Sequence, residues 1–419
     1  MTATPATPLI TNDAVVLGLL AILLAAVFST ASSDRPFWRR FYTYVPSLLL
    51  CYFLPSLLGT FGIVSPDSSK LYAVASRYLL PASLVLMTLA LDFKALLRLG
   101  PKALTLFLTG TVGVMVGGPV AFFLVGWISP SLVGGVGNDD VWRGLSAVAG
   151  SWIGGGANQT ALKEVYQAND SIFGMAVAVD VLVANLWMAA LLWAAANREK
   201  VDRWFKADAR VLDEVRDRFE GYRASIARMP SLADTIKILG VGFGVTAVAH
   251  LGADAIAPWI AELAPELEKL SLTSTFFWIV SIATAGGLVL SFFPRLRALE
   301  GAGASQVGSV LLYFLIATIG LNMDLRAVVQ VPGLFLVGLV WILIHGALLV
   351  LVAKLLKAPV FFAAVGSQAN IGGAASAPVV AAAFHPALAP VGVILAVFGY
   401  VLGTYCGWLT GQVLRLAAP

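Results

Sequence analysis

The sequence predicts an all-α polytopic membrane protein made of two inverted repeats, each with five transmembrane helices and one glycine-rich re-entrant or broken helix. Three observations carry this reading. The composition is 59% hydrophobic and 12% charged over 419 residues, with a mean hydropathy of +0.87, which does not describe a soluble protein. Apolar stretches long enough to cross about 30 Å of hydrocarbon recur in two sets of five. Two glycine-rich segments, Gly150 to Thr160 and Gly366 to Ser376, stand at matching places in the two sets.

The first set falls at 10–29, 43–62, 71–91, 103–127 and 172–196, and the second at 232–257, 271–293, 302–322, 331–356 and 388–412. Between the fourth and fifth span of each set lies a glycine-rich segment, at 143–168 and 359–383. A glycine costs roughly 1 kcal/mol against alanine in a helix interior. Backbone groups freed at membrane depth survive only where protein or a water-filled cavity satisfies them. The segments are therefore expected to be discontinuous elements that line a polar site, as in secondary transporters. Short matches support the duplication: Asp92-Phe93-Lys94 ends the third span of the first half and Asp324-Leu325-Arg326 that of the second, while Ile153-Gly154-Gly155 matches Ile371-Gly372-Gly373.

The distribution of basic residues orients the repeats. Placing Arg35, Arg39 and Arg40 on the cytoplasmic side leaves the N-terminus outside and brings Lys94, Arg98 and Lys102 inside as well. If 143–168 dips in and returns to the outside, the nine Lys and Arg residues of 197–231 also come to the cytoplasm, followed by Arg295, Arg297, Lys354 and Lys357. Five true crossings per half is an odd number, so the halves insert in opposite senses and the two hairpins enter from opposite faces. Residues 1–12 read as a short tail and not as a cleaved signal.

The expected organisation is a first repeat at 1–196, a cytoplasmic amphipathic linker at 197–231 and a second repeat at 232–419. In the linker, Val211, Val215, Phe219, Tyr222 and Ile226 recur at helical spacing among Arg216, Arg218, Arg223 and Arg228. That pattern predicts a helix on the cytoplasmic lipid surface, with a regulatory docking helix as the alternative. Spans 1–3 and 6–8 have fewer interruptions and are expected to form a scaffold, which transporters of this layout often use to pair as homodimers.

An ionisable side chain inside a membrane costs about 2.5–3.5 kcal/mol on insertion scales and is a functional candidate by default. Asp180, within Val177-Ala178-Val179-Asp180, is the clearest case. It is the expected coupling residue, able to take Na⁺ as a hard oxygen ligand or to bind and release a proton. The alternative is a buried acid held by hydrogen bonds or paired with an arginine such as Arg77. Asn185 lies five positions on, about 140° around the helix, so it lines an adjacent wall and does not converge on the same atom. Ser151, Gly154, Gly155, Asn158, Gln159 and Thr160 in the first hairpin, with Ser367, Gln368, Asn370, Gly372, Gly373 and Ser376 in the second, form the expected substrate site. Neutral donors and acceptors beside exposed backbone suit a small carboxylate and a cation.

Other groups carry less. Gly113-x-x-x-Gly117 reads as close helix packing. Asp92 and Asp324 are interfacial acids expected to pair with Lys94 and Arg326. His345 is a packing residue. Cys51 and Cys406 suggest neither disulfide nor zinc, and His250, His345 and His385 lack metal-ligand spacing. Gly134-Gly135-Val136-Gly137 lacks the lysine of a phosphate loop and is followed by Asn138-Asp139-Asp140. No nucleophile–base pair stands at plausible depth, so an enzyme is not expected, and no cofactor beyond a coupling Na⁺ or H⁺. The basic pI near 9.0 follows from loop arginines and lysines, not from a nucleic-acid face.

The stretch Arg143 to Asn158, together with Ser367-Gln368-Ala369-Asn370-Ile371-Gly372-Gly373 and the helix around Asp180, resembles the DUF819 family of bacterial and plant membrane proteins over nearly the whole chain. More distantly, the layout is similar to the sodium-coupled citrate and glutamate symporters, whose hairpins bind anionic substrate and sodium. The chain departs from them in lacking an arginine within the second hairpin, which argues against a di- or tricarboxylate. The expectation is an ion-coupled transporter of a small organic solute, such as a carboxylate, amino acid or short peptide, in the bacterial cytoplasmic membrane. A cation/proton exchanger without organic substrate and a non-transporting scaffold are the alternatives.

Overall fold

The computed structural model describes residues 9–45, 47–64, 69–134, 137, 140–208, 210–219, 228–323 and 333–418. Among them the chain is helical, with one isolated bridge between Ile10 and Val64 as its sole β-pairing. The first half contributes α1 (Asp13–Ala31), α2 (Ser47–Thr60), α3 (Leu71–Leu89), α4 (Pro101–Ile128), hairpin A (Val141–Val165) and α5 (Asp170–Ala196). The linker forms α6 (Arg198–Phe205) and α7 (Arg210–Phe219). The second half contributes α8 (Leu232–Leu263), α9 (Thr275–Ser291), α10 (Ala304–Asn322), α11 (Gly333–Leu355), hairpin B (Val360–Ile371 and Gly373–Phe384) and α12 (Ala389–Ala417). Eight of these helices are long and apolar enough to cross a bilayer, or ten if α2 and α9 are each counted with the short helix bent away from them. Asp324, Arg326, Asn138, Asp139, Tyr222, Arg223 and Ile226 lie outside the described residues.

Local chemistry sets the helix starts. Asn169 caps α5 by accepting the Ile172 amide at 2.8 Å, and Ser274 caps α9. Ser231 and Asp234 form a reciprocal capping box on α8, braced by Arg228 across both Asp234 oxygens at 2.9 Å. Each device satisfies amides that the first helical turn leaves open.

The helices sort into two bundles. In one, α9 packs on α8 and α3, α10 on α3 and α2, and α1 on α2 and α10. In the other, α12 packs along hairpin A and the second arm of hairpin B, α4 on α11 and the first arm of hairpin B, and α5 on hairpin A and α11. Spans 1–3 and 6–8 thus share one bundle, and spans 4, 5, 9 and 10 share the other with both hairpins. Close approach in the first depends on small residues: a Cβ on Gly242 would meet Leu86 Cγ at 3.2 Å, and one on Gly287 would meet Val85 O at 2.6 Å. In the second, Gly113 faces His345 and Gly117 faces Trp341 across the α4–α11 contact, the packing use predicted for this glycine pair. Outward faces stay apolar, with Ile236, Val248, Leu251 and Trp259 of α8 exposed, as a lipid-facing helix requires.

Two expectations are corrected. Val215, the one residue of the linker stripe whose side chain is described, packs onto protein and not lipid: it is 2% exposed and belongs to the main core, because α7 packs on the short turn after hairpin B. Asp92 caps the short helix that follows it, accepting the Lys94 backbone amide at 3.0 Å, and faces Arg297 at 3.7 Å.

Because Gly287 stands against α3 backbone that cannot move aside, Gly287→Ala is expected to destabilise the protein by about 1–3 kcal/mol. The midpoint of thermal unfolding in detergent reads this, and an unchanged midpoint would show that the α3–α9 contact has slack.

Candidate functional site

Hairpin A turns at two glycines. Gly154 has φ −140° and ψ 17°, and Gly155 has φ 73° and ψ −176°. The second conformation is open to glycine almost alone. The chain then folds back: a Cβ on Gly150 would lie 2.7 Å from Asn158 O and 2.8 Å from Leu162 Cδ1, groups that a continuous helix would hold about 12–18 Å away. At the open end the rings of Trp142 and Tyr166 are 5.3 Å apart. Hairpin B repeats the design, with Gly373 at φ 58° and the Phe361 and Phe384 rings 5.3 Å apart at its open end. Gln368 Nε2 crosses between its arms to Ser376 Oγ at 2.7 Å.

The two open ends lie at opposite ends of the bundle. Helix α5 begins beside the first, where Asp170 pairs with Lys163 at 2.7 Å. Just past its end, Arg198 of α6 donates to Phe384 O at the second, at 3.3 Å. Twenty-seven residues of α5 at 1.5 Å each separate them by about 40 Å. Asp202 of α6 accepts the Val360 amide at 2.7 Å, so this helix caps both ends of hairpin B. Burial pushes the Asp202 carboxyl up, while the Val360 amide and the Arg198 charge pull it down.

The tips meet inside. A Cβ on Gly373 would lie 3.8 Å from Gly155 Cα, and Tyr400 of α12 stands against both glycines. Gln368 sits over this turn, 1% exposed, with its Oε1 lacking any partner among the described residues. Each tip also presents the carbonyl end of one arm and the amide end of the next, partial charges of both signs at one point.

Two asparagines anchor the arms. Asn158 Nδ2 donates to Gly154 O and Tyr400 O, both at 2.9 Å, and its Oδ1 accepts Thr404 Oγ1 at 2.6 Å. Asn370 Nδ2 donates to Gly366 O at 2.9 Å and Phe107 O at 3.0 Å, and its Oδ1 accepts Thr111 Oγ1 at 2.8 Å. In each case an amide fits between a broken arm and an i, i+4 carbonyl and hydroxyl of a long helix.

Asp180 is 5% exposed and accepts three hydrogen bonds: Ser151 Oγ at 2.7 Å, Trp152 Nε1 at 2.7 Å and Gln159 Nε2 at 2.8 Å. The donors come from both arms of hairpin A, so the carboxylate ties the folded hairpin to α5. Among the described residues no arginine faces it, which corrects the pairing with Arg77; that guanidinium lies over the Phe276 ring at 4.7 Å instead. Asn185 donates to Val181 O of its own helix at 2.6 Å and does not join Asp180. Thr160 likewise bonds Gly156 O within its own arm. Ser367 accepts Trp187 Nε1 at 2.7 Å and lies 2.8 Å from His345 Nε2, whose Nδ1 is 3.0 Å from Gly110 O. A carbonyl can only accept, so Nδ1 carries the proton and, in the neutral ring, Nε2 takes the Ser367 hydroxyl.

The sequence therefore named the hairpin residues, and the structure divides them into tips that face one another and polar side chains that anchor the arms. Trp152, Thr111, Tyr400 and Thr404 were missed because tryptophans and isolated threonines in apolar helices carry no signal of their own. Lys163 and Glu164, bound to Tyr72 of the other bundle at the mouth of hairpin A, were overlooked although charges near the end of an apolar segment could have marked them. No group of three His, Cys, Asp or Glu able to hold a metal occurs among the described residues.

The family described as "Protein of unknown function (DUF819)" matches residues 18–417. The chain is 24% identical over 361 residues to a protein of Bacillus subtilis (strain 168) called uncharacterized membrane protein YjcL, a match covering 83% of this chain and 85% of the relative.

Truncating either anchor removes three buried hydrogen bonds, at about 0.5–1.5 kcal/mol each. Asn158→Ala and Asn370→Ala are expected to lower unfolding stability by that order, while Asn185→Ala, whose amide serves only its own helix, changes it by less than about 0.5 kcal/mol. Equal effects for all three in thermal unfolding would refute the anchoring role.

Proposed function

The chain belongs to the DUF819 family, and from that premise we propose that it is an ion-coupled secondary transporter of a small organic solute. The observation that carries the proposal is the meeting of two glycine tips from hairpins that open at opposite ends of one bundle. In a bilayer these hairpins are re-entrant from opposite faces and belong to inverted repeats. Their bundle then moves past the six-helix bundle, which serves as the fixed frame, and exposes the tips to either side in turn. The solute sits at the tips, beside Gly154, Gly155, Gly372 and Gly373, with Gln368 Oε1, which has no partner among the described residues, as an acceptor for one of its donors.

Asp180 is the coupling residue in this reading, and its surroundings favour a proton over Na⁺. Trp152 and Gln159 present N–H groups to the carboxylate, whereas a cation needs oxygen ligands. The Gln159 amide would have to turn over for Na⁺ to bind. A proton asks less: protonated Asp180 donates to Ser151 Oγ, and the serine hydroxyl rotates to another acceptor without moving a heavy atom. Release of that proton restores three donors to the carboxylate and locks hairpin A to α5, so the protonation state sets how firmly the tip is held.

Uptake by proteoliposomes of a panel of amino acids, small carboxylates and short peptides tests the proposal. Accumulation of one class is expected under an inward proton gradient, and Asp180→Asn should abolish the gradient dependence while the variant still unfolds cooperatively. Sodium/proton exchange with no solute flux would favour an exchanger, and unaltered flux in Asp180→Asn would reduce the residue to a structural tie.

A further inference from the structure

At the end where hairpin A opens, the two bundles border an open cavity of about 940 Å³, within the range of small-molecule sites and at the large end of it. Most charges on its wall already have partners. Lys163 pairs with Asp170 at 2.7 Å, and Arg143 binds Gly137 O at 2.7 Å and lies 4.0 Å from Asp140. Three groups stand apart. The guanidinium of Arg77 makes no hydrogen bond or ion pair among the described residues and rests on the Phe276 ring. Glu266 and Glu268, exposed on the turn Pro265–Leu270, likewise have no ion pair among them. All three line the cavity.

Arg77 is held there by a local defect in α3. Residues Ala75–Leu79 form a single π-turn, and Pro81, four residues after Arg77, has no N–H to give the Arg77 carbonyl. His250 of α8 lies with Nε2 2.9 Å from that carbonyl and can supply the missing donor. A π-turn inside an α-helix shifts the facing of the residues on it and recurs at functional sites. An unpaired arginine six residues into a membrane helix also calls for an anionic partner. Nothing among the described residues provides one.

We propose that this cavity binds a short peptide by its two charged ends, the carboxylate on Arg77 and the ammonium on Glu266 and Glu268. A planar guanidinium matches a carboxylate with two parallel N–H···O bonds, and the opposite charges of the remaining free groups select a zwitterion over a simple anion. The cavity is larger than a single amino acid needs. Because Arg77, Glu266, Glu268 and the residues around Phe276 belong to the six-helix bundle, while Trp142, Lys163 and Arg415 belong to hairpin A and α12, the bound peptide touches both bundles. As a statement of substrate class this rests on the transporter reading, with the cavity as the outer receiving site on the way to the hairpin tips.

The test measures binding of trialanine, N-acetyl-trialanine and trialanine amide to the purified full chain in phosphatidylcholine nanodiscs by calorimetry. Trialanine is expected to bind, with each blocked form weaker by about tenfold, the weight of a lost charge-assisted hydrogen bond. In Arg77→Gln the penalty for the amide should vanish while that for the acetyl group stays, and in Glu266→Gln with Glu268→Gln the reverse. Equal affinity for all three peptides, or no binding of any, overturns the inference. So does stabilisation by phosphatidylglycerol that depends on Arg77 when trialanine fails to bind, since a lipid phosphate is then its partner. If trialanine does not bind but gradient-driven uptake of another solute is intact, this inference falls and the transporter reading stands; peptide binding without flux of any solute sinks the transporter reading alone.

Discussion

A helix broken inside an apolar bundle sets free N–H and C=O groups that no water can satisfy, and the hairpin bundle is arranged around meeting that demand. Asn158 and Asn370 tie the broken arms to long helices with the same set of bonds. Each amide donates to a carbonyl in its own arm and to one on a long helix, and each accepts a threonine hydroxyl one turn along that helix. Asparagine suits the place because its side chain offers donors and an acceptor without charge. With the arms held, the tips can turn at Gly155 and Gly373, whose positive φ of 73° and 58° suits glycine and brings the two within contact.

The same reasoning explains Asp180. A carboxylate alone in this core would be too costly to keep, but three donors from both arms of hairpin A surround it. Its place on α5 thus joins the folding of the hairpin to the helix beside it. A group that holds two parts together through hydrogen bonds to its charged form is also one whose protonation loosens them. That double character is why a structural tie and a proposed coupling residue are compatible in one side chain.

The two bundles are joined by a few polar contacts among the described residues. These include Thr284 with Thr404 at 3.1 Å, Tyr405 with Ser281 O at 3.1 Å and the Lys163–Tyr72 pair at 2.7 Å. Thr404 gives its proton to Asn158 and so must accept from Thr284, which links the anchor of hairpin A to the other bundle through one hydroxyl. At the far end, α6 caps both arms of hairpin B with Asp202 and Arg198. The linker therefore acts on a hairpin as well as joining two halves.

By itself the sequence determined the class, the helical spans and the positions of both glycine breaks, because these follow from one-dimensional properties: runs of apolar residues, their lengths and the helix cost of glycine. It also marked Asp180 and the polar residues of the hairpins as unusual for their depth. Only the tertiary structure decided what each of them touches. Asn158 and Asn370 bond to residues more than 200 positions away, Arg77 turns away from Asp180 to a cavity at the mouth of hairpin A, and Val215 of the linker faces protein where lipid was expected. Hydrogen-bond partners and the facing of a helix depend on which elements pack together, and spacing along one chain does not encode that choice.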